Sequence, residues 1–222
     1  MPYVNKVNNQ SLGEEIANGV SHCVGALLAI AGTAVLIVRA CFTGTAMGIV
    51  SAALYGASLI LLYCFSTIYH SLTNHKAKSV FRIFDHCSIF ILIVGSYIPI
   101  SLVLIRQLMG YAVMGWVLFG VNVLCMVIGI VTNSISLERW EKLSLILYVA
   151  MGWSSVMILK YVLTQTGLSG FMLFIAGGLA YTLGIIFYKL KKVKYMHFIW
   201  HLFVLAGSIL HFFFIMFYCY PY

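Results

Sequence analysis

Several apolar runs in this chain are long enough to cross a lipid bilayer, and this feature limits the possible folds more than any other. Of its 222 residues, 63% are hydrophobic and only 8% are charged, whereas a soluble domain carries about a quarter charged residues. A membrane-spanning helix takes roughly 20 mostly apolar residues. A soluble protein of this composition would lack the polar residues that cover a surface. The chain is therefore predicted to be an all-α integral membrane protein.

Seven apolar runs are separated by charged and turn-forming residues. They cover residues 18–38, 46–69, 83–105, 111–132, 143–162, 169–188 and 195–218. Pro99 is expected to kink the third run. Loops this short join helices into one bundle, so residues 1–222 are predicted to form a single seven-helix membrane domain. Residues 1–17 are predicted to be a polar segment that precedes the first helix.

The lysines and arginines predict the orientation of the bundle. The first polar segment and the loops on its side hold ten of the 13 basic residues, and the opposite loops hold Arg39, Arg106 and Lys160. Cytoplasmic loops carry such an excess of basic residues. The N-terminus is therefore predicted to be cytoplasmic and the C-terminus outside. The net charge of +8 is explained by topology and does not indicate nucleic-acid binding.

A small set of ionisable and polar residues is predicted to meet in one leaflet. His70 ends the second run, and Ser66 lies one turn before it on the same face. Asp85, the only aspartate, lies near the start of the third run, and His197 and His201 open the seventh. The predicted topology brings these run ends to the cytoplasmic side. Ionisable groups at membrane depth are costly and suggest a functional site.

The residue types in this set favour a metal site. His197 and His201, four residues apart, share a helix face and lie about 6 Å apart along the axis, and His70 could add a third nitrogen. Three protein ligands with one open position are typical of catalytic zinc, although imidazole also binds other divalent metals. Asp85 could be a further ligand or a general base, and Ser66 could hydrogen-bond a ligand or a substrate carbonyl.

The other histidines are given different roles. His86 points about 100° away from the aspartate before it and is expected to pack or to support the site. His75 lies among loop lysines and is expected to be solvated. His22, one turn into the first run, could support the site or contact a substrate. His211 lies about 21 Å along the helix from His197, too far to share its metal, and is predicted to be a buried, hydrogen-bonded histidine.

The order of these motifs resembles a known family. The segments that carry the resemblance are EEIANGVSHCVG (14–25), YGASLILLYCFSTIYH (55–70), FDHCSIFILIVGSYIP (84–99), AMGW (150–153), YTLGIIFY (181–188) and HFIWHLFVLAGSILHF (197–212). Over nearly its whole length the chain resembles the haemolysin III family, the bacterial branch of the progestin and adipoQ receptor superfamily.

The resemblance implies a seven-helix protein of the bacterial cytoplasmic membrane with zinc near the cytoplasmic face. His70, His197 and His201 would hold the zinc, Asp85 would approach it through a water, and Ser66 would lie nearby. Eukaryotic relatives are linked to ceramide hydrolysis, and the wider superfamily includes alkaline ceramidases. The bacterial branch is named for haemolytic activity, and some members are tied to membrane lipid or energetics homeostasis.

Three functions follow as hypotheses. The first is a zinc-dependent hydrolase that acts on a membrane lipid amide or ester, with Asp85 taking the proton from the attacking water. The second is a pore-forming cytolysin, and the third is a non-enzymatic membrane sensor in which zinc only clamps the helices. A transporter is less favoured, because the run interiors hold few charged relay groups. Membrane lipids are the expected partners.

Overall fold

A computed structural model describes residues 10–42 and 44–220, and these residues are almost entirely helical. The α-helices are α1 Leu12–Phe42, α2 Ala46–Ser71, α3 His75–Ile98, α4 Ala112–Ile135, α5 Leu137–Trp153, α6 Leu159–Lys189 and α7 Met196–Phe214. The 3₁₀-helical turn Ser154–Ile158 joins α5 to α6, and the π-helical turn Ile215–Cys219 follows α7. Helix α1 begins inside the predicted polar segment, of which residues 1–9 lie outside the described residues.

Polar side chains set the helix starts. The Ser11 hydroxyl accepts from the Glu14 N–H at 3.4 Å, and Glu14 Oε2 accepts from the Ser11 N–H at 2.9 Å. This reciprocal pairing satisfies free backbone donors and explains why α1 begins before the apolar run does. Thr45, Asn74 and Ser136 cap α2, α3 and α5 in the same manner, each accepting from backbone N–H groups of the first turn.

Helix α3 changes its geometry at Pro99, where a kink was predicted. A π-helix, Pro99–Leu108, continues it, and residues 99–105 are all buried. Proline lacks an N–H and its ring crowds the preceding turn, so the α-helical hydrogen bonding cannot continue unchanged. The Ser101 hydroxyl donates to the Tyr97 carbonyl. The sequence thus predicted the residue at which the α-helix is interrupted, and the interruption is a change to a π-helix.

Six helical segments in the described part of the chain are long and apolar enough to cross a membrane. The prediction of an all-α membrane protein is confirmed. One of the six segments, Leu137–Lys189, has 53 residues and would extend about 80 Å as a straight helix, far more than the roughly 30 Å of a bilayer core. Gly167 interrupts it with φ 66° and ψ −172°. Tyr148 and Tyr188, on opposite sides of Gly167, line the same cavities, so the segment is not one straight rod.

Contacts between helices bring the site together. Helix α1 packs against both α2 and α7, and α2 packs against α3. The start of α1, the end of α2 and the start of α7 therefore meet at one end of the molecule. At the opposite end, Arg39 Nε donates to the Tyr220 carbonyl oxygen at 2.7 Å. Buried aromatic residues such as Tyr55, Tyr63 and Phe214 fill the core between these ends.

Candidate metal centre

Three histidines from two helices form a compact group. One ligand nitrogen from each of His70, His197 and His201 lies within 4.8 Å of the others. Nε2 of His197 is 3.1 Å from Nε2 of His201, and the His70 ring centroid lies 5.3 Å and 5.1 Å from their centroids. Tetrahedral zinc with Zn–N bonds of about 2.1 Å places neighbouring nitrogens about 3.4 Å apart. The group could therefore hold a metal ion, as the sequence predicted for these three residues.

Helix α1 orients two of the three imidazoles. The Nδ1–H of His70 donates to Glu15 Oε2 at 2.7 Å. The Nδ1 atom of His201 lies 3.3 Å from both the Asn18 carbonyl oxygen and the Ser21 hydroxyl. With the proton on Nδ1, the Nε2 lone pair of each ring is free to face the group. Such partners fix the tautomer and the orientation of metal-binding histidines.

Several buried polar atoms in or near the histidine group have no hydrogen-bond partner among the described residues. They include Nε2 of His70, both ring nitrogens of His22, Oδ1 of Asn18 and, one turn before His70, Oγ of Ser66. Leaving a buried polar atom unpaired costs about 1–3 kcal/mol, so each such atom needs an explanation. An unpaired imidazole nitrogen beside two other imidazole nitrogens fits a divalent transition metal. A role for Ser66 stays a prediction.

Asp85 is not a member of the histidine group. Its Oδ2 lies 3.7 Å from Nδ1 of His86, and its side chain is 13% exposed. The Nδ1–H of His86 donates to the Arg82 carbonyl oxygen at 2.9 Å. The described residues thus supply three histidines to the candidate centre, and a role for Asp85 as a ligand or a base stays a prediction.

The remaining histidines take distinct positions. His22 stacks on His201, with ring centroids 3.5 Å apart and ring planes 11° from parallel, and neither of its buried nitrogens has a partner among the described residues. Nε2–H of His211 donates to the Phe174 carbonyl oxygen at 3.1 Å, so the predicted hydrogen bond is present, but the residue is half-buried and not fully buried as predicted. His75 is exposed at the start of α3, as predicted.

One cavity adjoins the histidine group, and a second cavity adjoins the first. A polar cavity of about 770 Å³ is lined by His197 together with charged residues such as Glu14, Arg82 and Lys194. A narrower apolar cavity of about 180 Å³ reaches from His86 to His211, between α3, α5, α6 and α7. Both cavities are lined by His86, Leu145, Tyr148 and Tyr188. A polar space beside a metal-ligand candidate is therefore next to an apolar space deeper in the bundle.

Comparison with known proteins now decides the family. The sequence model described as haemolysin-III related matches residues 10–212. The chain belongs to this family. It is 38% identical to Hemolysin-3 of Bacillus cereus over 96% of this chain and 94% of that protein. It is 38% identical to the Hemolysin-3 homolog of Bacillus subtilis over 94% of this chain and 96% of that protein.

The haemolysin III-related chain is also similar to a human protein. It is 27% identical to the human monocyte to macrophage differentiation factor, over 93% of this chain and 85% of that protein. The region of this chain that matches the haemolysin III-related family model contains all three histidines and the α1 residues that contact them.

Sequence reasoning gave His22 on α1 a possible supporting role, but it missed Glu15 and Asn18, which contact His70 and His201. Glu15, Asn18 and His22 recur three and four residues apart, so they share one face of the helix. Polar residues on one face at the start of an apolar run were the signal that could have found them. Which neighbour each residue meets depends on the rotation of α1 about its axis, and the sequence does not give that rotation.

Proposed function

We propose that the protein is a zinc-dependent hydrolase that cleaves an amide or ester of a membrane lipid and contributes to membrane homeostasis. The observation that carries the proposal is the group of three imidazoles, His70, His197 and His201, beside a polar cavity that shares lining residues with an apolar one. The donor set favours zinc, because three protein ligands with one open position are usual in catalytic zinc sites.

Bound zinc would supply Lewis-acid chemistry and activate water for attack on a carbonyl carbon. His70, His197 and His201 would hold it through their Nε2 atoms. Asp85 would accept the proton of the attacking water, and the Ser66 hydroxyl would donate a hydrogen bond to the substrate carbonyl oxygen. Glu15 would keep the His70 ring in its ligating orientation.

The adjoining cavities support an amphipathic substrate. The polar cavity has the volume and charged lining that suit a headgroup, and the apolar cavity suits an acyl chain. A lipid placed across the residues common to both cavities would bring its headgroup linkage to the region beside His197. A lipid amide or ester therefore fits the site better than a small soluble substrate.

We place the chain in the bacterial cytoplasmic membrane as one seven-crossing domain with a cytoplasmic N-terminus. Two observations support seven crossings: the break at Gly167 inside the 53-residue segment and the excess of basic residues on one side. In this orientation the metal centre lies in the cytoplasmic leaflet.

Metal content tests the foundation of the proposal. We expect about one zinc per chain in detergent-purified protein, measured by mass spectrometry, and almost none in the His197→Ala/His201→Ala variant. Wild-type protein without stoichiometric metal would remove the basis of the hydrolase mechanism.

Turnover tests the role of Asp85. We expect Asp85→Asn to lower hydrolysis of a responsive lipid amide or ester by about 10²–10⁴-fold, because general-base catalysis contributes that much. Much of the zinc should remain bound. Unchanged turnover in this variant would rule out Asp85 as the base.

The names of the Bacillus relatives favour a second candidate, a pore-forming cytolysin. Metal-independent ion flux through purified protein in liposomes would support it over hydrolysis. A third candidate is a membrane sensor in which zinc only clamps α2 to α7. It would be supported if chelation lowered thermal stability while no lipid was turned over.

A further inference from the structure

Lys78 contacts a residue that holds one histidine of the candidate metal centre, and it is buried although the lysine nearest to it in sequence is exposed. The side chain is 8% exposed, whereas the nearby Lys76 is exposed. A lysine is rarely buried unless it is paired. Sequence reasoning counted Lys78 only as one of the basic residues that set the orientation, and topology alone does not explain its buried position.

Lys78 shares the Glu15 carboxylate with a metal-ligand candidate. Lys78 Nζ lies 3.0 Å from Oε1 of Glu15, and Nδ1 of His70 lies 2.7 Å from Oε2 of the same residue. Each carboxylate oxygen therefore has one partner. A carboxylate held at one oxygen can rotate only by breaking the ion pair, so the other oxygen stays directed at the imidazole.

Further contacts fix Lys78 itself. Its Nζ donates to the Leu72 carbonyl oxygen at 3.3 Å, and it lies 5.1 Å from the centroid of the Tyr69 ring. Residues at and just after the end of α2 thus fix the position of Lys78, and Lys78 in turn forms the ion pair with Glu15. Lys78, Glu15 and His70 form one chain of contacts from α3 through α1 to α2.

We propose that Lys78 is a positioning residue of the metal centre, which acts through Glu15 to keep Nε2 of His70 directed at His197 and His201. The proposal rests on the metal-binding part of the proposed function and does not depend on hydrolysis. Residues that orient metal ligands in this way typically change metal affinity about 10–100-fold when they are replaced.

Zinc affinity measured by chelator competition on detergent-purified protein tests the proposal. We expect Glu15→Gln to weaken zinc binding about 10–100-fold and Lys78→Met to weaken it about tenfold. Lys78→Arg keeps the positive charge and should stay close to wild type. Lys76→Met removes a neighbouring exposed charge and should have no effect. The Glu15→Gln/Lys78→Met double variant should be no weaker than Glu15→Gln alone, because both act on His70 by one route.

Two further readouts separate positioning from a purely structural role. The absorption bands of cobalt(II) bound in place of zinc should shift in Lys78→Met, because they report ligand geometry. The thermal stability of the metal-free Lys78→Met protein, compared with that of metal-free wild type, shows whether the substitution has only weakened the helix bundle. Wild-type zinc affinity and cobalt bands in Lys78→Met, or additive losses in the double variant, would overturn the proposal. Wild-type protein that binds no zinc would instead contradict the proposed metal function itself.

Discussion

At the scale of single residues, Ser66 is one of the buried polar groups whose surroundings need an explanation. Its side chain is 1% exposed, and its hydroxyl has no hydrogen-bond partner among the described residues. Serines in helices commonly donate to the carbonyl four residues earlier, as Thr67 does to Tyr63. The Ser66 hydroxyl does not, so folding gains nothing from it while its desolvation carries a cost. A residue of this kind is expected to serve a ligand.

Replacing Ser66 should therefore separate stability from activity. We expect Ser66→Ala to leave thermal stability within about 1 kcal/mol or to raise it slightly, because an unpaired buried hydroxyl is removed. Zinc content should not change. Hydrolysis should fall about 10²-fold, the usual effect of losing one donor to the reacting carbonyl. A clear loss of stability together with unchanged hydrolysis would show that Ser66 is structural.

Sequence reasoning found the three histidines because their placement depends on two simple quantities. The spacing of His197 and His201 puts them on one helix face, and the run order puts His70 at the same end of the bundle. The contacts of Glu15 with His70 and Lys78 depend on helix rotation and side-chain conformation. Helix rotation and side-chain conformation do not follow from periodicity. The histidine group was therefore predictable, and the residues that contact it from α1 and α3 were not.

At the scale of helices, the break at Gly167 decides how the segment from Leu137 to Lys189 is built. The sequence predicted a break between the runs 143–162 and 169–188, and Gly167 lies inside it. Its φ of 66° with ψ of −172° falls in a region that is essentially restricted to glycine. A Cβ at this position would meet no other atom within 4 Å. The requirement for glycine is therefore one of backbone conformation and not of space.

Two glycine-to-alanine changes should have opposite effects on stability. We expect Gly167→Ala to destabilise the protein by about 1–3 kcal/mol, because alanine strains this backbone conformation. Gly120 in α4 also has open space around it but is helical, so Gly120→Ala should stabilise by about 0.5–1 kcal/mol. Thermal denaturation in detergent compares the two. Equal effects would contradict the strain argument.

At the scale of the whole molecule, the number of membrane crossings determines whether the two termini lie on the same side of the membrane. An odd number puts the termini on opposite sides, and an even number puts them on the same side. Because α1 contacts α7, the first and last helices are neighbours in either case. The side of each terminus therefore tests whether the segment with Gly167 crosses the membrane twice.

Reporter fusions to the full chain show on which side each terminus lies, and so whether the number of crossings is odd or even. We expect green fluorescent protein to fluoresce when fused to the N-terminus and to stay dark when fused to the C-terminus. Alkaline phosphatase should be active only at the C-terminus, because it requires export. An inactive C-terminal phosphatase beside a fluorescent C-terminal fusion would indicate six crossings and would contradict the proposed topology.

The division of the histidine group along the chain has a consequence for biosynthesis. His70 leaves the ribosome long before His197 and His201, which lie more than 120 residues further along the chain. A nascent chain that has not yet reached α7 still lacks two of the three imidazoles. The histidine group therefore cannot assemble before α7 is translated, and a truncated product that stops before α7 would be unable to form it.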